Sequence, residues 1–153
     1  MKHLEPYLEQ LKKAGYKLTH QRLVILDYLL KSRDHPSADM IYEDLRRHYP
    51  TISLATVYNT LEVFSRIGLV VDVGAPGERR RFDGITSPHS HHFCQQCGRI
   101  EDAEFSGQDP AASPAAAPLP LHATRCRLDY FGLCAQCRAA SAASTLTQTS
   151  HQS

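Results

Sequence analysis

Up to residue 68, apolar positions recur every three or four residues, which is the spacing of amphipathic helices. Ser or Thr stands where three of the four predicted helices begin, and each can accept a hydrogen bond from the first helical turn. Glycine or proline follows each predicted helix, and neither residue continues a helix easily. The pattern predicts helices over about residues 4–14, from the cap Thr19 to before Pro36, from Ser37 to Pro50, and from Ser53 to Gly68.

The apolar pattern becomes extended after Gly68. Two arms, residues 69–73 and 78–82, flank a Gly-Ala-Pro-Gly turn and predict a β-hairpin, whose second arm is basic because residues 79–81 are all arginine. Helices followed by a two-stranded hairpin predict a winged helix-turn-helix, in which one helix enters the major groove of DNA. A helical core with a hairpin at its edge would show the same pattern, so the pattern alone leaves DNA binding open.

The second part of the chain has a different composition. His, Cys and acidic residues concentrate in residues 83–105, Pro and Ala in residues 108–121, and residues 123–137 predict a strand that ends at a pair of cysteines. The last residues are mostly Ala, Ser, Thr and Gln, which offer too little apolar surface to fold. We therefore predict an α+β protein with a winged-helix DNA-binding domain over 1–82, a small α/β metal-binding domain over 83–138 and a disordered tail over 139–153.

Charge and composition narrow the function only slightly. The net charge of +1 hides a mildly basic first part: residues 1–82 contain 13 Lys and Arg against 10 Asp and Glu, and the remaining 4 and 6 complete the totals of 17 and 16. A basic part suits a nucleic-acid partner, although the motif carries more weight than this balance. No apolar run reaches the roughly 20 residues of a membrane helix and no secretory signal is recognisable, so we expect a cytoplasmic protein.

Two Cys-x-x-Cys knuckles, Cys94 with Cys97 and Cys134 with Cys137, predict a zinc site. Each knuckle brings two thiolates to one ion, and two knuckles complete the tetrahedral shell of four sulfur ligands that zinc prefers. A redox role fits less well, because no thioredoxin-like βαβ pattern accompanies the knuckles. With no open coordination position, the zinc is expected to stabilise the fold. The fifth cysteine, Cys126, is expected to be a small buried apolar residue.

A second group of potential metal ligands includes His89 and His91. In an extended chain, residues two apart share a face, so both imidazoles can reach one ion. Asp83, Asp102 and the distant His35 are the candidate further ligands. Mixed imidazole and carboxylate ligands suit iron, manganese, zinc or nickel. Because His and Asp in a loop are also often simply solvated, the spacing leaves two interpretations, a regulatory metal site and a solvent-facing polar group.

Several stretches carry a resemblance to a known family: residues 19–22 (THQR), 35–42 (HPSADMIY), 52–61 (ISLATVYNTL), 81–83 (RFD) and 89–98 (HSHHFCQQCG). Through them the chain resembles the ferric uptake regulator (Fur) family of bacterial metal-dependent transcription factors over about residues 8–138. The resemblance implies an N-terminal winged helix, a hinge and a C-terminal α/β dimerisation domain. It also implies homodimers that bind palindromic A·T-rich operators, usually as repressors, with no small-molecule substrate and no membrane partner.

The resemblance also assigns the metal ligands. It implies a regulatory site for Fe2+ or Mn2+ on His35, Asp83, His89, His91 and Asp102, and a structural zinc site on Cys94, Cys97, Cys134 and Cys137. Both carboxylates are Asp, which resembles the peroxide-responsive branch of the family more than the iron-uptake branch, where Glu is common. In the peroxide-responsive branch, Fe2+ reacts with hydrogen peroxide, a ligand histidine (here His35 or His89) is oxidised, and the repressor leaves its operator. Mn2+ gives an insensitive form.

Other functions remain as alternatives. The chain can be an iron- or manganese-responsive uptake regulator of the same family, or a zinc-stapled adaptor whose His and Asp face solvent and sense no metal. A hydrolase with an open metal position is a third possibility. No general base, nucleophile elbow or phosphate loop accompanies the ligands, so we expect no enzymatic activity.

The fourth helix is the predicted recognition helix. Tyr58 can offer its ring to a thymine methyl group, and Asn59 can pair with adenine. Basic side chains on the first two helices and on the hairpin are expected to bind phosphates or the minor groove, although the hairpin arginines can equally be a solvated charge run. The predicted DNA-binding residues are Lys13, Arg22, Ser53, Thr56, Tyr58 and Asn59.

One segment departs from the family pattern. Residues 107–123 contain four prolines where the family carries an amphipathic dimerisation helix. An interior proline costs an α-helix about 3 kcal/mol, so we expect this helix to be missing or much shortened. The departure would weaken the dimer and, with it, the affinity for the operator.

Overall fold

The computed structural model describes residues 4–74, 77–87, 89–103 and 127–148, with side chains as far as residue 142. Contacts between residues divide the chain into two compact units, Met1–Ser87 and Pro88–Ser153. The first unit contains α1 (Glu5–Lys13), α2 (His20–Lys31), α3 (Ala38–Leu45), α4 (Leu54–Arg66), β1 (Val71–Asp72) and β2 (Phe82–Asp83). The second contains β3 (Ser90–Cys94), β4 (Ile100–Ala103), β5 (Asp129–Gly132) and α5 (Ala135–Gln148).

Three of the four helices of the first unit, α2, α3 and α4, begin at the predicted caps. The side chains of Thr19, Ser37 and Ser53 each accept a hydrogen bond from a backbone N–H in the first turn of α2, α3 and α4. The third helix is shorter than predicted, since the Leu45 carbonyl accepts from the N–H groups of both His48 and Tyr49, at 3.0 and 2.8 Å, and the chain turns there. The predicted helices are confirmed, although α2 also ends earlier than predicted, at Lys31.

One apolar cluster joins the helices to the hairpin. Leu11 of α1, Leu26 of α2, Ile41 of α3, Phe64 of α4 and Phe82 of β2 are among its fully buried members. Burying a side chain of this size contributes about 1.5–3 kcal/mol, so the cluster fixes α4 and the hairpin against the other helices. The exposed positions of α4 are Ala55, Tyr58, Asn59, Glu62 and Arg66.

The predicted hairpin is confirmed by an antiparallel pairing of β1 with β2, with Val71 opposite Asp83 and Asp72 opposite Phe82. At Gly74 a Cβ atom would lie 2.9 Å from the carbonyl oxygen of Arg79, so the close approach of the two arms requires glycine there. Because Asp83 belongs to β2, it falls in the first unit. The predicted boundary after Phe82 had placed it in the second.

The second unit is a three-stranded sheet in the order β4-β3-β5, with β3 antiparallel to β4 and parallel to β5. In this register His91 lies opposite Asp102 on one side and Asp129 on the other. Of the strand predicted over 123–137, the structure describes residues 127–137, and in this part the strand is β5. Cys134 follows this strand in a short connection, and Cys137 lies in the first turn of α5.

The disordered tail predicted from residue 139 is wrong for residues 139–148, because α5 continues to Gln148. The composition that offers little apolar surface is also rich in alanine, the residue that favours helix most strongly. The predictions for residues 107–123, for Cys126 and for residues 149–153 lie outside the described residues. Within the described part of the chain, no helix is both long and apolar enough to cross a bilayer.

Candidate metal centres and nucleic-acid interface

The two Cys-x-x-Cys knuckles converge in the second unit. One sulfur atom from each of Cys94, Cys97, Cys134 and Cys137 lies within 4.8 Å of the others, and all four cysteines are free thiols. The Sγ atoms of Cys97 and Cys134 are 3.8 Å apart. A tetrahedral zinc ion with bonds of about 2.3 Å to sulfur needs its ligands about 3.8 Å from one another. The predicted cluster therefore has the dimensions of a four-thiolate zinc site.

Backbone geometry prepares the first knuckle for metal binding. Gly98 adopts a positive φ of 70°, which lets the chain turn directly after Cys97. The backbone N–H of Cys134 donates to the Sγ of Cys94 at 3.3 Å. This bond and one from the backbone of Cys97 lower the pKa of Cys94 to about 5, so the thiolate that zinc binds is already favoured.

The last thiol has the opposite tendency. Desolvation, with hydrogen bonds to the neighbouring cysteines, raises the pKa of Cys137 to about 12, so without an ion this group keeps its proton. A metal ion releases such a proton when the thiolate binds it. The arrangement is closed, has four sulfur ligands and fits a structural zinc ion.

Two of the five predicted regulatory ligands pair within the first unit. The Nε2 atom of His35, in the connection between α2 and α3, lies 3.7 Å from an Oδ atom of Asp83 in β2. Both side chains are buried, with exposed fractions of 3% and 5%. A buried imidazole and carboxylate at this separation are suitable ligands for one divalent ion.

The other three predicted ligands meet within the second unit. The Nε2 atom of His89 lies 3.3 Å from an Oδ atom of Asp102 in β4. The rings of His89 and His91 are 4.4 Å apart between centroids, as expected for residues two apart on an extended chain. Imidazole and carboxylate ligands fit Fe2+ or Mn2+. The ligands divide as two and three between the units, whereas the predicted domain boundary divided them as one and four.

Sequence reasoning missed Asp129, a neighbour of this second group. Its Oδ1 atom lies 3.9 Å from Nδ1 of His91, and Arg127 holds the carboxylate with an N–O distance of 2.7 Å. Histidines that bind metals commonly direct their second ring nitrogen to a carboxylate, which fixes the ring orientation. The role of Asp129 depends on the parallel pairing of β3 with β5, which sequence spacing does not show.

The expected role of two hairpin arginines also changes. Arg80 donates to Asp72 of β1 at 2.5 Å and to Glu62 of α4. Arg81 donates to the backbone carbonyl groups of His35 and Asp34, the latter at 2.8 Å. Both side chains bind the protein itself, so a solvated charge run does not describe them; Arg80, whose side chain is 43% exposed, can still exchange its ion pairs for a phosphate.

The predicted recognition helix presents polar side chains from its N-terminal half. Ser53 caps the helix, and its Oγ lies 2.8 Å from Oγ1 of Thr56. Tyr58 is 42% exposed, and its hydroxyl group donates to Asp39 at 3.2 Å. Desolvation and the charge of Asp39 raise the pKa of Tyr58, so the hydroxyl stays protonated. Asn59 is exposed beside it.

The two predicted phosphate contacts on α1 and α2 already have partners. Lys13 is exposed at the end of α1, 3.9 Å from Glu9. Arg22 donates to the Lys17 carbonyl at 2.7 Å, and its guanidinium lies 5.5 Å from the centre of the Tyr16 ring. An exposed ion pair of this kind is weak and can be exchanged for a phosphate.

Four helices and a hairpin with an exposed polar recognition helix, a four-thiol cluster and His/Asp ligands define a metal-dependent DNA-binding regulator. Comparison with known proteins gives the family: the model of the ferric uptake regulator family matches residues 13–128. The chain belongs to the ferric uptake regulator family, as the resemblance implied. Members of this family are dimeric DNA-binding repressors.

Named relatives are similar over most of their length. The chain is 41% identical to the peroxide operon regulator of Bacillus subtilis over 134 residues, which cover 88% of this chain and 92% of that protein. It is 38% identical to the peroxide-responsive repressor PerR of Staphylococcus aureus, covering 88% and 91% of the two chains. The ferric uptake regulator of Vibrio cholerae is 31% identical, with a TM-score of 0.69 and coverage of 82% and 98%.

Proposed function

We propose that this protein is a homodimeric, peroxide-sensing repressor whose operator binding depends on Fe2+ or Mn2+. One observation carries the proposal: each unit contains an imidazole paired with an aspartate, His35 with Asp83 at 3.7 Å and His89 with Asp102 at 3.3 Å. Aspartate at both positions is the pattern of the peroxide-responsive branch, and the two relatives reported above that carry peroxide in their names support the same assignment.

Regulation follows if one ion takes ligands from both units. His35 and Asp83 come from the first unit, and His89, His91 and Asp102 come from the second. An ion that binds all five stabilises the arrangement in which they converge, and it shifts the population toward that arrangement. A coupling free energy of about 1–3 kcal/mol is usual for such a switch. The four-thiolate zinc site lies within one unit and serves stability.

Peroxide sensing requires a histidine that can be oxidised at the metal. Fe2+ held by these residues would supply the redox chemistry, and the balanced result would be one oxygen atom of hydrogen peroxide on an imidazole and the other released as water. His35 and His89 hold the imidazoles that we assign to this role, each beside its aspartate. Since oxidation weakens the ligand, the arrangement that binds DNA loses its stabilisation.

Operator binding is assigned to two copies of α4 in successive major grooves of an A·T-rich palindrome. Tyr58 and Asn59 would read thymine and adenine, while Ser53 and Thr56 border the same surface. Lys13 and Arg22 would bind phosphates. The proposal includes a cytoplasmic location, where thiols stay reduced, and neither a small-molecule substrate nor enzymatic turnover.

Operator titrations with and without metal test the proposal. We expect Mn2+ or Fe2+ to tighten binding of an A·T-rich palindrome, and hydrogen peroxide to release only the Fe2+ form. Mass spectrometry of the released protein should show one added oxygen on His35 or His89. Metal-dependent binding without this oxidation would support an iron- or manganese-responsive regulator. Equal affinity with and without metal would leave a zinc-stapled adaptor and reject the proposal.

An aspartate-to-glutamate variant provides a matched comparison. Asp102→Glu keeps the carboxylate and the charge but introduces the residue common in the iron-uptake branch. We expect it to retain binding that depends on Mn2+ and to lose most of the sensitivity to peroxide. Unchanged sensitivity would show that the aspartate does not distinguish the two branches.

A further inference from the structure

Arg81 stands two residues before Asp83, at the base of the hairpin. We propose that Arg81 is a positioning residue that holds the connection carrying His35 ready for metal binding and joins it to the hairpin and α4. The inference rests on the proposed regulatory site. It adds a link between metal and DNA that lies wholly within the first unit, separate from any movement of one unit against the other.

The backbone at His35 needs support from its surroundings. Its φ of +46° lies in the left-handed region, and it is the one non-glycine residue with a positive φ in the described part of the chain. A side chain makes this region unfavourable for most residues. The next residue is Pro36, whose ring further restricts the conformation of the residue before it. Such a backbone persists where contacts elsewhere impose it.

Those contacts come from consecutive residues of the hairpin. The guanidinium of Arg81 donates to the carbonyl oxygen atoms of Asp34 and His35. The next residue, Phe82, donates its N–H to the Pro36 carbonyl at 3.0 Å. Three successive carbonyl groups therefore accept hydrogen bonds from two successive hairpin residues, and the left-handed residue is at their centre.

The guanidinium is only partly exposed to solvent where it makes these bonds. Arg81 is partly buried, and desolvation lowers its pKa, but an arginine in this state stays charged. Its planar group can bind two neighbouring carbonyl oxygen atoms at once, which an ammonium group cannot match in geometry. Arg79 differs, since it is exposed and lines a cavity with Tyr58. Arg79 is thus placed for DNA and Arg81 for the loop.

The same stretch of hairpin also reaches the recognition helix. Side chains alternate between the two sides of an extended chain, so Arg81 and Asp83 share the side that faces His35. Arg80 takes the other side and binds Glu62 of α4 as well as Asp72 of β1. A metal ion bound to His35 and Asp83 would therefore order β2 and the residues just before it. The contact of Arg80 with Glu62 connects this segment to the recognition helix. Without Arg81, two of the three hydrogen bonds to this loop are lost, and only the backbone bond from Phe82 to Pro36 remains of the three.

Two measurements on the full chain with its zinc test the inference. We compare Arg81→Ala with Arg79→Ala, which removes the same charge from an exposed position of the same hairpin. Calorimetry gives the Kd of Mn2+, and fluorescence anisotropy gives operator affinity with and without Mn2+. For Arg81→Ala we expect Mn2+ to bind about ten- to a hundredfold more weakly, as for other residues that orient metal ligands. The gain in operator affinity that Mn2+ produces should fall toward one.

The control should behave differently. Arg79→Ala removes an expected phosphate contact, so it should weaken operator binding equally with and without Mn2+ and leave the Kd of Mn2+ unchanged. The inference is wrong if Arg81→Ala gives this same pattern. It is also wrong if Arg81→Lys, which keeps the charge, restores both quantities to wild-type values, because charge alone would then suffice.

The lysine variant keeps the inference testable if the alanine variant does not fold. With the charge retained and the two-carbonyl geometry lost, Arg81→Lys should bind Mn2+ more weakly than the wild type while its thermal unfolding and zinc content stay close to wild-type values. The proposed function fails separately, if the wild-type protein shows no metal-dependent operator binding. A wild-type response that Arg81 variants fully retain would overturn only the inference.

Discussion

The two groups of metal ligands differ in where the chain supplies them. All four cysteines come from the second unit, between the end of β3 and the start of α5. The proposed His and Asp ligands include two residues of the first unit and three of the second. A closed site within one unit can stabilise only that unit's own structure. A site whose ligands are divided can make the arrangement of the units depend on the ion, which is what a sensor requires.

The largest predicted effect is the loss of zinc. Cys134→Ser removes one of the four sulfur ligands and keeps the backbone N–H that donates to Cys94, so the second unit should lose its zinc and most of its structure. Structural zinc sites in small domains contribute apparent binding free energies of about 10–16 kcal/mol, far more than the stability of such a domain. Elemental analysis and circular dichroism measure the result. Cys126→Ser is the matched control and should retain zinc; zinc retained by Cys134→Ser would contradict the assignment.

Removal of one proposed regulatory ligand should leave the fold intact and abolish the effect of Mn2+ on operator affinity. His35→Ala should reduce the gain in operator affinity produced by Mn2+, ordinarily about 5- to 150-fold for a coupled pair of sites, to about one. Anisotropy titrations measure this gain. His48→Ala, an exposed histidine outside the ligand group, should keep it in full. A normal Mn2+ response in His35→Ala would remove the first unit from the regulatory site.

A smaller effect on metal affinity is expected for Asp129, the carboxylate that orients the proposed ligand His91. Asp129→Ala removes the oxygen 3.9 Å from Nδ1 of His91, so the ring is less well oriented. Mn2+ affinity should fall about tenfold, near the lower end for such residues. Glu101→Ala, another carboxylate on the same sheet, is the control in the same calorimetric titration. If both variants weaken Mn2+ binding equally, the loss of affinity comes from the removed negative charge and not from the orientation of His91.

The first unit should have a pH dependence unrelated to metals. Burial, with the hydrogen bond to Asp44 at 2.6 Å, raises the pKa of Tyr28 above its ordinary value near 10. Since the folded state holds this proton more tightly, the stabilisation is complete below pH 10 and is lost as the pH rises above it. Tyr28→Phe should cost about 1–2 kcal/mol at neutral pH. Urea unfolding should show a shallower loss of stability above pH 10 in the variant; identical slopes would contradict this.

The parts of the fold that sequence predicts well depend on neighbours in the chain. Thr19, Ser37 and Ser53 cap their helices as predicted, because a cap bonds to a residue three positions away. Each Cys-x-x-Cys pair is likewise local. The tail prediction failed at residues 139–148, where low apolar content was given more weight than the helix propensity of alanine.

Contacts between distant segments account for the rest. The sequence predicts phosphate or minor-groove contacts, or a solvated charge run, for Arg81, since nothing in it shows that the carbonyl groups of Asp34 and His35 lie beside this residue. The sequence does not show that Asp129 lies beside His91, because this contact depends on the pairing of β5 with β3. The predicted boundary after Phe82 was drawn from composition and placed Asp83 in the second unit. In the structure Asp83 pairs with Val71 and belongs to the hairpin of the first unit.

A double-mutant cycle tests the central claim most directly, since it asks whether the two units bind one and the same ion. The gain in operator affinity caused by Mn2+ is measured for the wild type, His35→Ala, His89→Ala and the double variant. If both imidazoles bind one ion, the double variant loses no more than either single variant. Losses that add independently would mean two separate sites and would contradict the account.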